Sequence, residues 1–460
     1  MLLAIILLPT LIAMAMLNST TASRVLVKVY VPCLIFIPVH MQASVGGYHL
    51  TDTALVLLLL CGVGLVRWHH TLKFTFVDAC ILLFAFSAFY ADAHQRALNI
   101  ATYALCQNLA VCAFPYFVGR TLIEQTGSRK EFVKTLVFCL ALVGIFSLYE
   151  YRMETNIFNV LESKLTGAPP AWGLQTRWGF GRIAGPYGGS IIAAMMFSTG
   201  LLLQLWLTGT KSWEGSKALR FFRTSRRAKA VTLGVALGLF LTQSRGPWIG
   251  CAFGLVVASI GFAKDRKRAA TVTISALLVA LLATSIFLKS YAFDQAYTHG
   301  AGGDQDQQNA AYRADLIPTY TPLIIQGGIW GWGTPTVISH GQAGWLADLT
   351  SIDNEYILIA MAQGYFGLGL FVLILVASIW RAARFCASFR ERQDIMLAYC
   401  LLGALLTLAF TVSTVALMDP MLQLAFLLFG WTQSLRPSGE EQEALAPVAT
   451  GPFEFQRVFA

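Results

Sequence analysis

Apolar residues run through this chain in long unbroken stretches, without the two-residue alternation of a half-buried strand. Thirteen such stretches stand out, at 2–17, 25–40, 49–66, 73–90, 98–118, 132–149, 187–207, 229–242, 247–262, 270–288, 355–378, 394–415 and 420–434. A helix needs about 20 mostly apolar residues to cross a hydrocarbon core of roughly 30 Å, and only helices or closed barrels satisfy their backbone groups there. Barrel strands would alternate, so the pattern predicts an all-α polytopic membrane protein with about 12–13 transmembrane helices. The first stretch starts at Leu2 with no basic residue before it and reads as a helix, although Ala13-Met14-Ala15 mimics a signal-peptide cleavage site. One polar segment interrupts the series. It runs from KSYAFDQAYTHG at 289 through AAYRADLIPTY and GGIWGWG to SIDNEY, ending at Tyr356, and it is too long to be a simple connection.

Composition agrees: 56% of the 460 residues are hydrophobic and 12% charged, far from the balance of a soluble domain. The nine cysteines lie almost all inside apolar stretches without paired spacing, as small core residues do. Charge changes the picture more. Taking alternate connections together, 25 of the 33 lysines and arginines fall on one side, which the positive-inside rule makes cytoplasmic. The net charge of +9 is then explained by a face attracted to anionic lipid, and nucleic acid is not needed as a partner. The other side receives the connection at about 150–186, the QSRGPW turn at 243–248, and the long loop 289–354, for which short helices are expected. Residues 1–435 form the transmembrane domain, and 436–460, rich in Pro, Gly, Ala and Glu, read as a disordered cytoplasmic tail.

The informative cations are those the positive-inside rule disfavours. Arg182 lies in GFGRIAGPYGG, Arg245 in LTQSRGPWIG and Arg313 in AAYRADLIPTY, each near a helix end on the sparsely charged side. Converging guanidinium forks suit a diphosphate, because they make bidentate, charge-assisted bonds and stay protonated. The plainer alternative is that each snorkels to lipid headgroups or pairs with a local acid such as Asp315. Asp353, Asn354, Glu355 and Tyr356 precede the next apolar run. Asp353 or Asn354 there can be a helix N-cap, or a carboxylate of Asp353 or Glu355 can take a proton from an attacking sugar hydroxyl. Trp330 and Trp332, among glycines 327, 328, 331 and 333, suit either lipid anchoring or stacking on a sugar. His299 and His340 lack metal-ligand spacing. Asp78 is an acid inside a span, with Lys73 one turn away as its expected partner.

An arginine before Gly-Pro, the sequence T-x-S-R-G between two helices, R-x-D-L followed by G-x-G, and an Asn-x-Tyr motif leading into G-x-x-G-L together resemble the O-antigen ligase and polymerase superfamily. The resemblance covers about 180–375. It implies a GT-C-like membrane glycosyltransferase of the bacterial inner membrane, working at the periplasmic face without a metal or other cofactor. Its donor would be a glycan on undecaprenyl diphosphate, and its acceptor a glycan or lipid-linked glycan. The resemblance also implies that Arg182, Arg245 and Arg313 hold the diphosphate, that Asn354 lines the acceptor side, and that ligation or polymerisation of O-antigen or exopolysaccharide is the outcome. Ligases of the superfamily commonly place a histidine before that asparagine, whereas this chain has Asp353. The competing expectations are a transporter, which would show polar breaks within its spans, and a non-catalytic member of a polysaccharide export machinery.

Overall fold

A computed structural model describes residues 2–46, 48–68, 73–95, 98–167, 172–173, 175–177, 179–214, 224–287, 305–333 and 352–437. Each predicted span falls on a helix or a continuous helical run. In order these are α1 (Leu2–Ser19), α2 (Ala22–Val25, Leu26–Tyr30 and Val31–Phe36 in sequence), α3 (Asp52–Trp68), α4 (Phe76–Gln95), α5 (Leu98–Leu122) and α6 (Arg129–Met153). After the short α7 (Ile157–Thr166) come α8 (Ser190–Gly209), α9 (Thr224–Leu241), α10 (Arg245–Ile260), α11 (Arg266–Phe287) and α12 (Gln305–Gly327). The chain ends on α13 (Glu355–Ser388), α14 (Arg392–Thr411) and α15 (Asp419–Ser434). Seven of the described helices are long and apolar enough to cross a membrane by themselves. The tail beyond Pro437, Lys289, His299 and His340 lie outside the described residues.

The helices approach through small residues. Gly119 and Gly430 bring α5 and α15 together, Gly144 and Gly234 join α6 to α9, and Gly254 faces Gly403 between α10 and α14. At each of these sites an added Cβ would run into the partner's backbone. Such contacts drive helix association in lipid, where hydrophobic burial between helices gives little. The large apolar side chains of α1 that stay exposed, among them Leu3, Leu8, Leu11 and Ile12, are suited to acyl chains instead. Within α2 and α5 a π-turn (Leu26–Tyr30, Leu109–Ala113) precedes Pro32 and Pro115, whose missing N–H and ring displace the regular ladder.

At the end where the basic connections gather, buried ions tie helices together. Arg129 meets Asp394 at 3.0 Å and Glu124 at 3.3 Å, and the Trp431 indole donates to Glu124 Oε1 at 2.5 Å. Asp78 corrects the expectation from sequence. Its carboxylate pairs with Arg120 and accepts from Tyr116 Oη at 2.7 Å and from Thr75 N at 2.6 Å. Lys73 supplies only its carbonyl, to Arg120 Nη2 at 2.6 Å. The charged partner is thus Arg120, a helix away, and not Lys73.

Two further differences concern the long polar segment. Where short helices are expected, α12 has 23 residues despite Pro318 and Pro322. Leu316 and Tyr320, four residues apart on one face, bury themselves with Ile352, Ile357, Met361 and Ala362 in a small separate core. And α13 is not a clean span. Its backbone breaks at Gly364 (φ 68°, ψ −167°), and the glycine-rich loop at 328–333 fills the break. Trp332 N donates to Met361 O at 2.7 Å and Gly333 N to Ala362 O at 3.0 Å, while Tyr365 N and Phe366 N donate back to Gly328 O and Ile329 O, each at 3.1 Å. Past the break, residues 365–388 still measure roughly 36 Å at about 1.5 Å per residue, long enough to span. The stub 355–363 is left on the side of the polar segment.

Candidate functional site

Opposite the basic end, several connections converge. The sequence reads 150–186 as a loop, but it contains α7 and an antiparallel hairpin of β-strands Gln175–Arg177 and Phe180–Arg182. What anchors this region is Glu150, buried at the end of α6. Glu150 Oε1 accepts from Asn156 Nδ2 at 2.7 Å and Ala184 N at 2.9 Å, and Oε2 accepts from Gly185 N at 3.0 Å. A single carboxylate thus fixes the Ala184-Gly185-Pro186 turn that follows Arg182.

The hairpin is stitched to the turn between α9 and α10. Arg182 donates to Thr242 O at 3.3 Å and Ser244 Oγ at 3.0 Å, Arg177 donates to Gln243 O at 2.9 Å, and Ile183 N donates to Leu241 O at 3.3 Å. Gln243 is held at φ 48°, a left-handed conformation that costs about 1–3 kcal/mol in a non-glycine residue. The stitched turn presents Arg245 as the exposed first residue of α10. A cation at a helix N-terminus opposes the macrodipole, whereas an anion there is favoured both by the dipole and by unpaired amides. The placement therefore serves an anion better than it serves the helix.

The same turn leads to the carboxylates. An added Cβ at Gly246 would lie 2.8 Å from Thr414 Oγ1, so the start of α10 abuts the turn after α14. That turn holds the start of α13. Glu355 N donates to Val412 O at 2.9 Å, Asn354 Nδ2 to Ser413 O at 2.9 Å, and Tyr356 Oη to Ala409 O at 3.0 Å. Asn354 is also the N-cap, its Oδ1 accepting from Ile357 N at 3.1 Å. Glu355 is 5% exposed, and its Oε2 accepts from Leu417 N at 2.6 Å. Asp353 precedes the cap and stays half-buried.

Arg313 completes the group. It is exposed on α12 one turn before Leu316, which packs in the same small core as Ile352 beside Asp353. It stands near enough to Arg182 to repel it. Burial first, then Arg177 and Arg313, push the Arg182 guanidinium down to about 10. Like charges gathered in this way favour an anion between them.

Residues 230–372 match the O-antigen ligase family. The matched region runs from within α9 into α13 beyond Gly364 and so includes Arg245, Arg313 and Asp353, while Arg182 precedes it. This match supports the membrane ligase and polymerase superfamily that the motifs resemble, and with it a glycosyltransferase-like enzyme acting on lipid-linked glycans. No curated protein matches the chain.

Of the residues singled out by sequence, Arg182, Arg245 and Arg313 are brought to one region, with Asp353 beside it. Asn354, Glu355 and Tyr356 are there too, but each spends its polar group on holding the start of α13. Trp332 is turned inward, its indole donating to Leu323 O at 2.9 Å, while Trp330 packs on Tyr90 and Phe366. Sequence reasoning passed over Arg177 and Glu150. Arg177 carried the same signal as Arg182, a cation on the sparsely charged side. Glu150 was legible as an acid at the end of a span.

Proposed function

We propose that the protein is a membrane glycosyltransferase that transfers or polymerises glycans carried on undecaprenyl diphosphate, at the periplasmic face of the inner membrane. The observation that carries this reading is the convergence of Arg182, Arg245 and Arg313 from three separate parts of the chain. An acceptor hydroxyl attacks the anomeric carbon, and the bond from that carbon to the diphosphate oxygen breaks. Negative charge grows on the leaving diphosphate, where fixed guanidinium groups stabilise it more than they stabilise the bound donor. The hydroxyl proton passes to the carboxylate of Asp353, in the place where ligases of the superfamily the motifs resemble commonly have histidine. Glu355 and Asn354 set the position of Asp353 by pinning the stub of α13 to the turn at 412–417. The break at Gly364 is filled by the backbone of residues 328–333, so it gives little support to a transporter.

The test is reconstitution. Purified protein in liposomes, given the lipid-linked glycan and an acceptor glycan, should release undecaprenyl diphosphate and extend the acceptor. No release from intact protein would overturn the reading. In the same assay Asp353→Asn should lower kcat by about 10²-fold or more with little change in the donor KM. Unchanged turnover would leave Asp353 as no more than a flank to the Asn354 cap.

A further inference from the structure

Behind Arg182 lies a cavity of about 340 Å³ that the diphosphate reading leaves unused. Glu154, Asn156, Asn159, Trp172, Gln175 and Arg182 line it. Its polar groups are set in place by the fold. Asn156 and Asn159 are both buried, with Asn156 Nδ2 bonded to Glu150 and Asn159 Nδ2 donating to Trp172 O at 2.7 Å. The oxygen of Gln175 accepts from Arg182 at 3.1 Å and Ser190 at 3.4 Å, so what Gln175 can offer a ligand is its pair of amide donors. The Trp172 indole N–H is buried with no acceptor among the described residues, and its ring packs on His40, centroids 5.4 Å apart. A buried donor without an acceptor is rare in a finished structure, and it points to an oxygen that a ligand brings.

We propose that this cavity is a sugar subsite and that it takes the ring attached directly to the diphosphate. An aromatic ring with its N–H, two fixed amides and an amide donor pair match the apolar face and hydroxyl edge of a hexose. The carboxylates of Glu150 and Glu154 disfavour a second anion, and the polar lining disfavours an acyl chain. The volume is at the small end of ligand cavities, roughly 300–1,000 Å³, and encloses a single ring but not an oligosaccharide. Arg182 forms part of the wall, so a diphosphate on its guanidinium places the ring one bond away in this cavity. The assignment rests on the reading of Arg182 as a diphosphate holder, but sugar binding can be measured apart from it.

Two probes separate the ideas, both with full-length protein in detergent. The first is undecaprenyl diphosphate, bare or carrying the native glycan. Wild type should bind the glycan-bearing form about tenfold more tightly, and Trp172→Ala should lose that preference while holding the bare lipid as before. Trp172→Phe, which keeps the ring and removes the N–H, should lose about threefold. The second is saturation transfer to the free glycan released from the carrier by mild acid, expected with wild type and absent with Trp172→Ala. Equal affinity for both lipids in wild type, an unaltered preference in Trp172→Ala, or no transfer to the free glycan in wild type would each overturn the subsite. Transfer to the free glycan without binding of either lipid would uphold the subsite and overturn the diphosphate reading.

Discussion

Arg245→Ala is expected to yield a folded, membrane-inserted protein that makes no detectable product. The turn before α10 is held by bonds from Arg182, Arg177 and Ile183 to residues 241–244, and these remain when side chain 245 is cut back. Its thermal midpoint in detergent should therefore stay within a few degrees of the parent. What is lost, on the proposed function, is a guanidinium beside the diphosphate. Removing a single donor to developing negative charge commonly lowers kcat by about 10²–10³-fold, and a charged donor to a departing diphosphate, which gains a negative charge as the bond breaks, belongs at the upper end. Arg245→Lys keeps the charge without the fork and should recover only part of the rate. Polymer or ligated product from cells carrying Arg245→Ala at parental level would remove Arg245 from the diphosphate site.

The second large effect is expected far from any charge. At Gly364, φ 68° with ψ −167° is open only to glycine, and a Cβ there would press on Ile329 O and lie 2.5 Å from Gly331 N. Gly364→Ala cannot keep both the break and the loop. Strain of about 1–3 kcal/mol adds to four backbone bonds across the break, each contributing about 0.5–1.5 kcal/mol, so a loss of several kcal/mol is expected. Low yield of folded protein and proteolytic cleavage within 328–333 should follow. Gly369→Ala is the matched control, since nothing lies within 4 Å of its Cβ, and it should be neutral or slightly stabilising. A Gly364→Ala variant melting within a degree or two of its parent would mean that the break is not a requirement of the fold.

The helices were legible because lipid imposes one simple demand, and each predicted span coincides with a helix to within a few residues at most ends. The arginines were legible for a related reason, since a cation on the sparsely charged side stands out against a strong bias. Pairing was not legible. Asp78 and Arg120 lie on different helices, and nothing local distinguishes Arg120 from the nearer Lys73. Only short helices were expected in the long polar segment, yet burial of Leu316 and Tyr320 outweighs the local cost of Pro318 and Pro322 and keeps α12 continuous. The break at Gly364 was hidden most thoroughly. One glycine among several in an apolar run gives no sign that a loop some thirty residues earlier will supply its missing hydrogen-bond partners. The roles of Glu355 and Tyr356 were hidden likewise, because the carbonyls and amides they bind belong to α14 and the turn after it.

The junction at Gly364 also bears on how such a chain can vary. The four bonds described across it join main chain to main chain, so the message they carry is written in spacing and not in letters. Ile329, exposed at the surface, can be exchanged for many residues without disturbing a bond of the junction. Adding or deleting one residue between Gly328 and Gly333 would shift every donor off its acceptor at once. A junction of this kind tolerates substitution and forbids insertion, the reverse of an ordinary surface loop.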